Sequence, residues 1–467
     1  MKGTFMMIDF KALAQQYKAE MVQDLTDLIA FPSLTDESSI AEGAPFGQPL
    51  KATLDWFLNR CESFGFSVDN VDGYAGVASY GSQSSAIGLL GHLDVVPVGE
   101  GWTKDPFKAV IENGVIFGRG TGDDKGPTIA ALYAMRILKD LNIPLKHQLQ
   151  LIVGVDEETG MRCMDYFTQN RKIPDFGFVP DAYFPLIYGE KGIVNAVLRS
   201  NKPTMIQSFY AGERSNIVVG KAKLIVKVAH HQQALEWYQL AHRIRIDAHI
   251  LSDESVEYTF YGDSTHASTP HKGVNAAYHA FNFIGSVYKD ELALEAASLI
   301  YDVMGKSLNI AFDGVHMGWL STNCGIVSLE NNQTALTIDV RYPNDVSIDW
   351  IEERVCERLK LTSFDYEIIA HKGPHFVDPS SDLVQTLHRV YKELSHDDFT
   401  PPLTMGGGTY ARTMPNFVAY GMKFITKPQL IHVGDAHQKD EGIEIEDLVL
   451  ATAIYAKALY ELAYENA

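Results

Sequence analysis

An α/β architecture, with a mainly parallel sheet interrupted by an inserted α+β domain, is what three features of the 467-residue sequence predict. Short apolar runs that end in polar residues alternate with helical periodicity from about residue 86 to 181. Half-buried, alternating strands fill the stretch from about 190 to 375. A long apolar helical stretch then closes the chain and returns it to the first layer.

The elements follow in order. Phe10, Leu13, Tyr17, Met21, Leu25, Leu28 and Ile29 recur mostly at spacings of three or four, with charged residues between them. That spacing predicts an amphipathic helix rather than a signal peptide or a membrane span. Ala86 to Leu90 reads as a buried strand ending at His92, Leu149 to Val155 as a second ending at Asp156-Glu157-Glu158, and Phe176 to Val179 as a third ending at Pro180-Asp181. Pro127 opens a helix that runs to Leu138, with the proline in the first turn, where its missing donor is harmless. Strands alternating with helices imply a sheet covered on both faces, and such sheets place their sites just beyond the strand ends. In the middle region Lys223 to Val228 and Ala335 to Val340 alternate; after it come Gly406-Gly407-Gly408 and a last helix from Glu444 to Leu462. The expected division is residues 1–188 and 376–467 for a catalytic domain and 189–375 for the inserted one.

Composition narrows the partners. Lys and Arg number 39 against 59 Asp and Glu, a formal charge of −20 that repels phosphate backbones and anionic lipid. Neither nucleic acid nor a membrane surface is expected as a partner. Cys61, Cys163, Cys324 and Cys356 form no CxxC pair, which argues against a disulfide framework or a thiolate zinc site and favours a reduced, cytoplasmic setting.

Five short segments carry chemistry. In Gly91-His92-Leu93-Asp94, alternate residues of an extended segment face the same way, so His92 and Asp94 can share a side. A metal-binding histidine usually donates its other N–H to a carboxylate, which fixes its tautomer. The glycines of Gly118-Arg119-Gly120-Thr121-Gly122 turn the chain tightly into Asp123-Asp124-Lys125-Gly126. Asp156-Glu157-Glu158 sets adjacent carboxylates after a buried strand, where they repel one another unless something positive lies between them. Asp181 and His437 complete the set. Taken singly, the first two segments read sooner as a strand-end histidine and an N-cap aspartate, and the third reads as readily as a solvated acidic loop. Together, two imidazoles and three carboxylates (Asp123, Glu158, Asp181) form a ligand set suited to borderline divalent metals: zinc first, with manganese or cobalt as alternatives.

The order Gly-His-x-Asp, Gly-Arg-Gly-x-x-Asp-x-Lys-Gly, Asp-Glu-Glu, Pro-Asp and a late His resembles the di-metal peptidase family that contains aminoacylases and carboxypeptidase-G-type enzymes. Gly91 to Pro97 with Gly101-Trp102, Asp123 to Pro127, and Gly406 to Tyr410 look like the PepV-type bacterial dipeptidases within it. The resemblance implies a di-zinc catalytic domain with an inserted lid domain and two divalent ions per chain. By it, His92 and His437 would each hold one ion, Asp123 would bridge the pair, Asp181 would join His92, and Glu158 would join His437. Asp94 would orient His92, and Glu157 would be the general base. Gly262 to Pro270 resembles the family's lid motif, so His266 would steady the oxyanion, a role typically worth ~3–4 kcal/mol. Asn216 and Arg341 stand where PepV-type enzymes contact substrate, and Arg341 is shaped to grip a terminal carboxylate in two-point fashion. Gly407 and Gly408 would bring backbone donors to the same carboxylate. The long insert resembles the enlarged PepV-type lid, which implies a monomer with His266 acting on its own chain.

The expected activity is hydrolysis of unblocked dipeptides, with β-alanyl dipeptides such as carnosine included as an open case. An N-acyl amino acid deacylase and a carboxypeptidase on the same scaffold stand as alternatives. A non-catalytic metal- or peptide-binding protein is the different-class alternative, and Glu157 beside Glu158 argues against it.

Overall fold

The computed structural model describes residues 8–464, and the chain divides into two compact units. Among the described residues the first comprises 8–188, 377–403 and 408–464; the second comprises 189–376 and 404–407.

A mixed sheet forms the first unit. Its centre is parallel, in the order Gln148–Gly154, Ala86–His92, Phe176–Val179 and Phe417–Ala419. These strands are short and almost wholly buried, which is why they read as continuous apolar runs rather than alternating ones. The outer strands are antiparallel. Ser67–Val71 and Ala75–Tyr80 form a hairpin that pairs with Gln148–Gly154. At its turn Asp72 (φ 51°) and Gly73 (φ 78°) both take left-handed backbone. Ala419 pairs antiparallel with Ile187 at the other side.

Three helices pack against one another over this unit's core: Phe10–Ile29, Lys125–Asp140 and Ile445–Ala463. The helix expected from Pro127 begins two residues earlier, at Lys125, so the proline still lies in the first turn. Lys125 itself is buried, and its ammonium donates to the carbonyls of Leu28 (3.1 Å) and Phe31 (2.7 Å), tying the end of the first helix to the start of this one. Among the described residues no helix is long and apolar enough to cross a membrane.

The second unit is α+β. Its main sheet has eight antiparallel strands, in the order Arg245–Ser252, Ser255–Tyr261, Lys221–Val226, Ile206–Ala211, Ser321–Glu330, Gln333–Tyr342, Gly192–Ser200 and Asp365–Lys372. Ala222, Leu224 and Val226 turn inward while Lys221 and Lys223 face solvent, the period-two pattern of a half-buried strand. Helices Ala276–Tyr288 and Glu291–Ile300 contribute Ala280, Phe281, Ile284, Ala293 and Ala296 to this unit's own core.

Candidate metal centre

The parallel strands deliver the site. His92 is the last residue of its strand, in register with Gly154, so residues following either strand emerge at one level. Asp181 follows Phe176–Val179 by two residues, and Asp123 precedes the helix that starts at Lys125. The first unit thereby gathers two groups that could hold metal ions: His92, Asp123 and Asp181, and Asp123, Glu158 and His437, with the donor atoms of each group within 4.8 Å of one another. Asp123 belongs to both. Its Oδ1 lies 3.0 Å from His92 Nε2 and its Oδ2 lies 3.0 Å from His437 Nε2. Asp181 Oδ2 stands 3.7 Å from His92 Nε2, and Glu158 Oε1 stands 3.0 Å from His437 Nε2.

The supporting contacts explain the adjacent acidic residues. His92 Nδ1 donates to the main-chain carbonyl of Asp94 at 2.9 Å, while the Asp94 carboxylate stands at 3.5 Å. That carboxylate instead accepts the backbone N–H of Glu157 (3.1 Å) and of Glu158 (3.0 Å). Asp94 therefore fixes His92 through its backbone and the Glu157-Glu158 loop through its side chain. Asp156 turns the other way and pairs with Arg162, while Glu158 faces the centre and Glu157 lies near enough to feel the charges of His92 and Asp123. Asp124 lies beneath it and was not foreseen as part of the site. One of its oxygens accepts the His92 N–H and the Thr128 hydroxyl, each at 3.0 Å. A Cβ at Gly91 would stand 2.2 Å from that hydroxyl, so only glycine allows the strand to approach this closely. Glu441, also unforeseen, is buried against Arg119 below the Asp123 loop. The local signal for both was absent: each is an acidic residue in a polar string, and burial comes only from distant chain.

The electrostatics agree with a place for cations. Burial pushes up the carboxyls of Asp181 and Glu158, and negative neighbours add to it; Glu157 is driven to about 8 by the same two causes. Hydrogen bonds to Asp123 and Glu158 raise His437 to about 10. For His92, burial disfavours the imidazolium, but hydrogen bonds to Asp123 and Asp94 outweigh it and hold its pKa well above the usual value. Carboxylates outnumber cationic side chains in this buried place, so it needs positive charge. Divalent cations would remove that need, and mixed imidazole and carboxylate donors suit them.

The remaining candidates lie in the second unit, except Gly408, which is in the first. Arg341 is buried and gives Nε and Nη2 to Asp339 at 2.6 and 2.9 Å, and Nη1 to the Gly406 carbonyl at 3.0 Å. Asn216, Arg341 and Asp339 line one cavity of about 540 Å³. His266 accepts at Nδ1 from the Ser268 N–H (3.1 Å) and sits beside the Ser268 hydroxyl (2.8 Å), so its neutral form carries the proton on Nε2. Burial and the positive charge of Arg341 lower its pKa. The Asn216 carbonyl accepts the Ala267 N–H at 2.8 Å, which joins its segment to that of His266.

Residues 88–461 match the description Peptidase family M20/M25/M40. The chain belongs to this family. It is a metallopeptidase, and its membership agrees with the resemblance carried by the motifs. A relative from Staphylococcus haemolyticus, provisionally named a dipeptidase, is 35% identical over 475 residues and covers 98% of this chain and 100% of its own. A Bacillus subtilis protein with the same provisional name is 35% identical over 464 residues, covering 96% and 98%. Among solved structures, human carnosine dipeptidase 1 aligns with a TM-score of 0.56 at 16% identity, over 97% of this chain and 98% of that one. At that identity the likeness shows the shared mixed α/β fold of the family.

Proposed function

We propose that this M20-family chain is a dipeptidase that hydrolyses unblocked dipeptides at a two-metal centre, zinc being the first choice of metal. The observation that carries the reading is the division of the Asp123 carboxylate between His92 and His437. One carboxylate facing two imidazoles, each with a further acidic residue, is the donor arrangement two neighbouring cations require. His92 and Asp181 would hold one, His437 and Glu158 the other, with Asp123 common to both. When bound, such ions polarise a carbonyl and make water acidic enough to attack near neutral pH.

The chain's own residues do the rest. Glu157 takes the proton of the attacking water and returns it to the leaving amine, as a carboxylate base can when it is anchored beside the reacting atoms. Asp94 anchors it through the Glu157 N–H. His266, neutral with its proton on Nε2, is assigned the oxyanion on the strength of the family resemblance. Arg341 and Asn216 are assigned the substrate's terminal carboxylate on the same ground. The names of the two curated relatives support the dipeptide preference, and the carnosine dipeptidase supports including β-alanyl substrates.

Turnover of Ala-Ala and carnosine, compared with N-acetyl amino acids and tripeptides, with and without added zinc or manganese, tests the reading. Metal-dependent cleavage of free dipeptides is expected. Turnover of acylated amino acids with none of free dipeptides would make the chain a deacylase instead, and a preference for longer chains would make it a carboxypeptidase.

A further inference from the structure

We infer that Glu441 and Arg119 form a positioning pair that fixes the separation of Asp123 from His437, and so sets how tightly the Asp123, Glu158 and His437 group holds its cation. The inference rests on the metal-holding role proposed above.

Glu441 lies at the junction of two loops that chain order keeps far apart. It is 1% exposed. Its Oε1 accepts three backbone N–H groups of one loop: Gly120 at 3.1 Å, Gly122 at 2.9 Å and Asp123 itself at 3.2 Å. Its Oε2 takes Arg119 Nη1 at 2.6 Å. Arg119, equally buried, carries the contact to the other loop: Nη1 also reaches the Gln438 carbonyl at 3.3 Å, and Nη2 faces the His437 and Val98 carbonyls at 3.5 and 3.4 Å. The Trp102 ring stacks 5.0 Å from the guanidinium and shields it. Backbone pairing closes the frame, with the Gly118 N–H donating to the Glu441 carbonyl at 2.9 Å and Gly442–Glu444 pairing with Val115–Phe117.

The arrangement has a specific consequence for His437. This residue has a φ of 65°, a left-handed conformation that a non-glycine residue keeps only when its surroundings hold it there. The flanking Arg119 contacts to His437 and Gln438 are such surroundings. A buried ion pair is costly unless its polar atoms find partners. The Glu441 oxygens and the Arg119 Nη atoms find theirs mainly in the two loops that carry Asp123 and His437, while Arg119 Nε has none. Asp123 belongs to both groups, but the pair also holds the His437 loop, whereas His92 is held by Asp94 and Asp124; the pair therefore acts chiefly on the group that contains His437.

The test uses the full chain, stripped of metal and titrated with cobalt(II), followed by calorimetry and by the visible absorption of the bound ion. The wild type is expected to take up two ions. Glu441→Ala is expected to weaken one of them by about 10–100-fold, the usual cost of losing a group that supports a ligand, and to weaken the other distinctly less. Glu441→Gln keeps an oxygen for the three N–H groups and should fall between. His437→Ala marks the group concerned: adding Glu441→Ala to it should weaken the remaining ion by no more than about twofold, the non-additive result for two changes acting on one group. At saturating cobalt, kcat of Glu441→Gln should return towards the wild-type value with KM unchanged. Wild-type affinity for both ions in the Glu441 variants, equal weakening of both, or additive loss with His437→Ala would each overturn the inference. Should Glu441→Ala not fold, Glu441→Gln and Arg119→Lys carry the same readouts, and wild-type affinities in both would overturn it. A wild type that binds two cobalt ions and cleaves dipeptides, with unaffected variants, would leave the proposed function standing and remove only this inference.

Discussion

Asp123 Oδ2 stands 3.0 Å from His437 Nε2, across 314 positions of sequence, while the second oxygen of the same carboxylate faces His92. Hydrogen bonds to both histidines hold the Asp123 carboxyl well below its ordinary pKa, although burial alone would raise it. The residue is therefore an anion with both oxygens committed, which is the state in which a carboxylate can serve two cations.

Asp94 holds the loop that carries Glu157 and Glu158 by accepting both of their N–H groups. Leaving two such donors unpaired costs about 1–3 kcal/mol each. Asp94→Ala is expected to lower the melting temperature of the metal-free protein and to weaken metal uptake, with Asp94→Asn milder because its amide oxygen still accepts. Calorimetric melting with metal titration checks this; an unchanged melting temperature in Asp94→Ala would count against the contact.

Glu157 is assigned proton transfer and not metal holding. Glu157→Gln is therefore expected to reduce kcat by at least about 10²–10⁴-fold while both ions still bind. Elemental analysis alongside steady-state kinetics separates the two effects. Retained turnover would remove Glu157 as the base.

Several parts of this centre are legible in the sequence for a physical reason. The strands that lead to His92, Asp156 and Asp181 are buried on both faces, so they stand out as apolar runs with polar residues at or just beyond their ends. The hairpin Ser67–Tyr80 escaped because Ser67–Asn70 are exposed and carry no alternation to read. Asp124 and Glu441 escaped because their burial is created by distant chain: Glu441 meets Arg119 across 322 positions. The part Asp94 plays was legible only by half. Its place beside His92 follows from local geometry, but its carboxylate serves residues 63 and 64 positions away.

His266 carries its proton on Nε2, and burial with Arg341 nearby keeps its pKa below the usual histidine value. A neutral donor is thus present at neutral pH and persists as pH falls, until the lowered pKa is passed. His266→Ala is expected to lower kcat by about 10²-fold or more, as for loss of an oxyanion donor. A change confined to KM would make it a binding residue.

Arg341 has three of its N–H groups held by Asp339 and the Gly406 carbonyl, which fixes the guanidinium plane. Arg341→Ala is expected to raise KM for peptides with a free C-terminal carboxylate by about 10–100-fold, the loss of one charge-assisted hydrogen-bonded pair at about 1.5–3 kcal/mol. C-terminally amidated peptides should be little affected. Equal loss on both substrates, measured in parallel, would contradict the assignment.

The central claim is that Asp123 is shared between two cations. Elemental analysis of the purified chain after saturation with zinc and removal of excess metal measures it directly, with Asp123→Ala beside the wild type. Two ions per wild-type chain are expected, with Asp123→Ala retaining fewer than two and losing turnover. One ion or none in the saturated wild type, or two firmly held in Asp123→Ala, would contradict it.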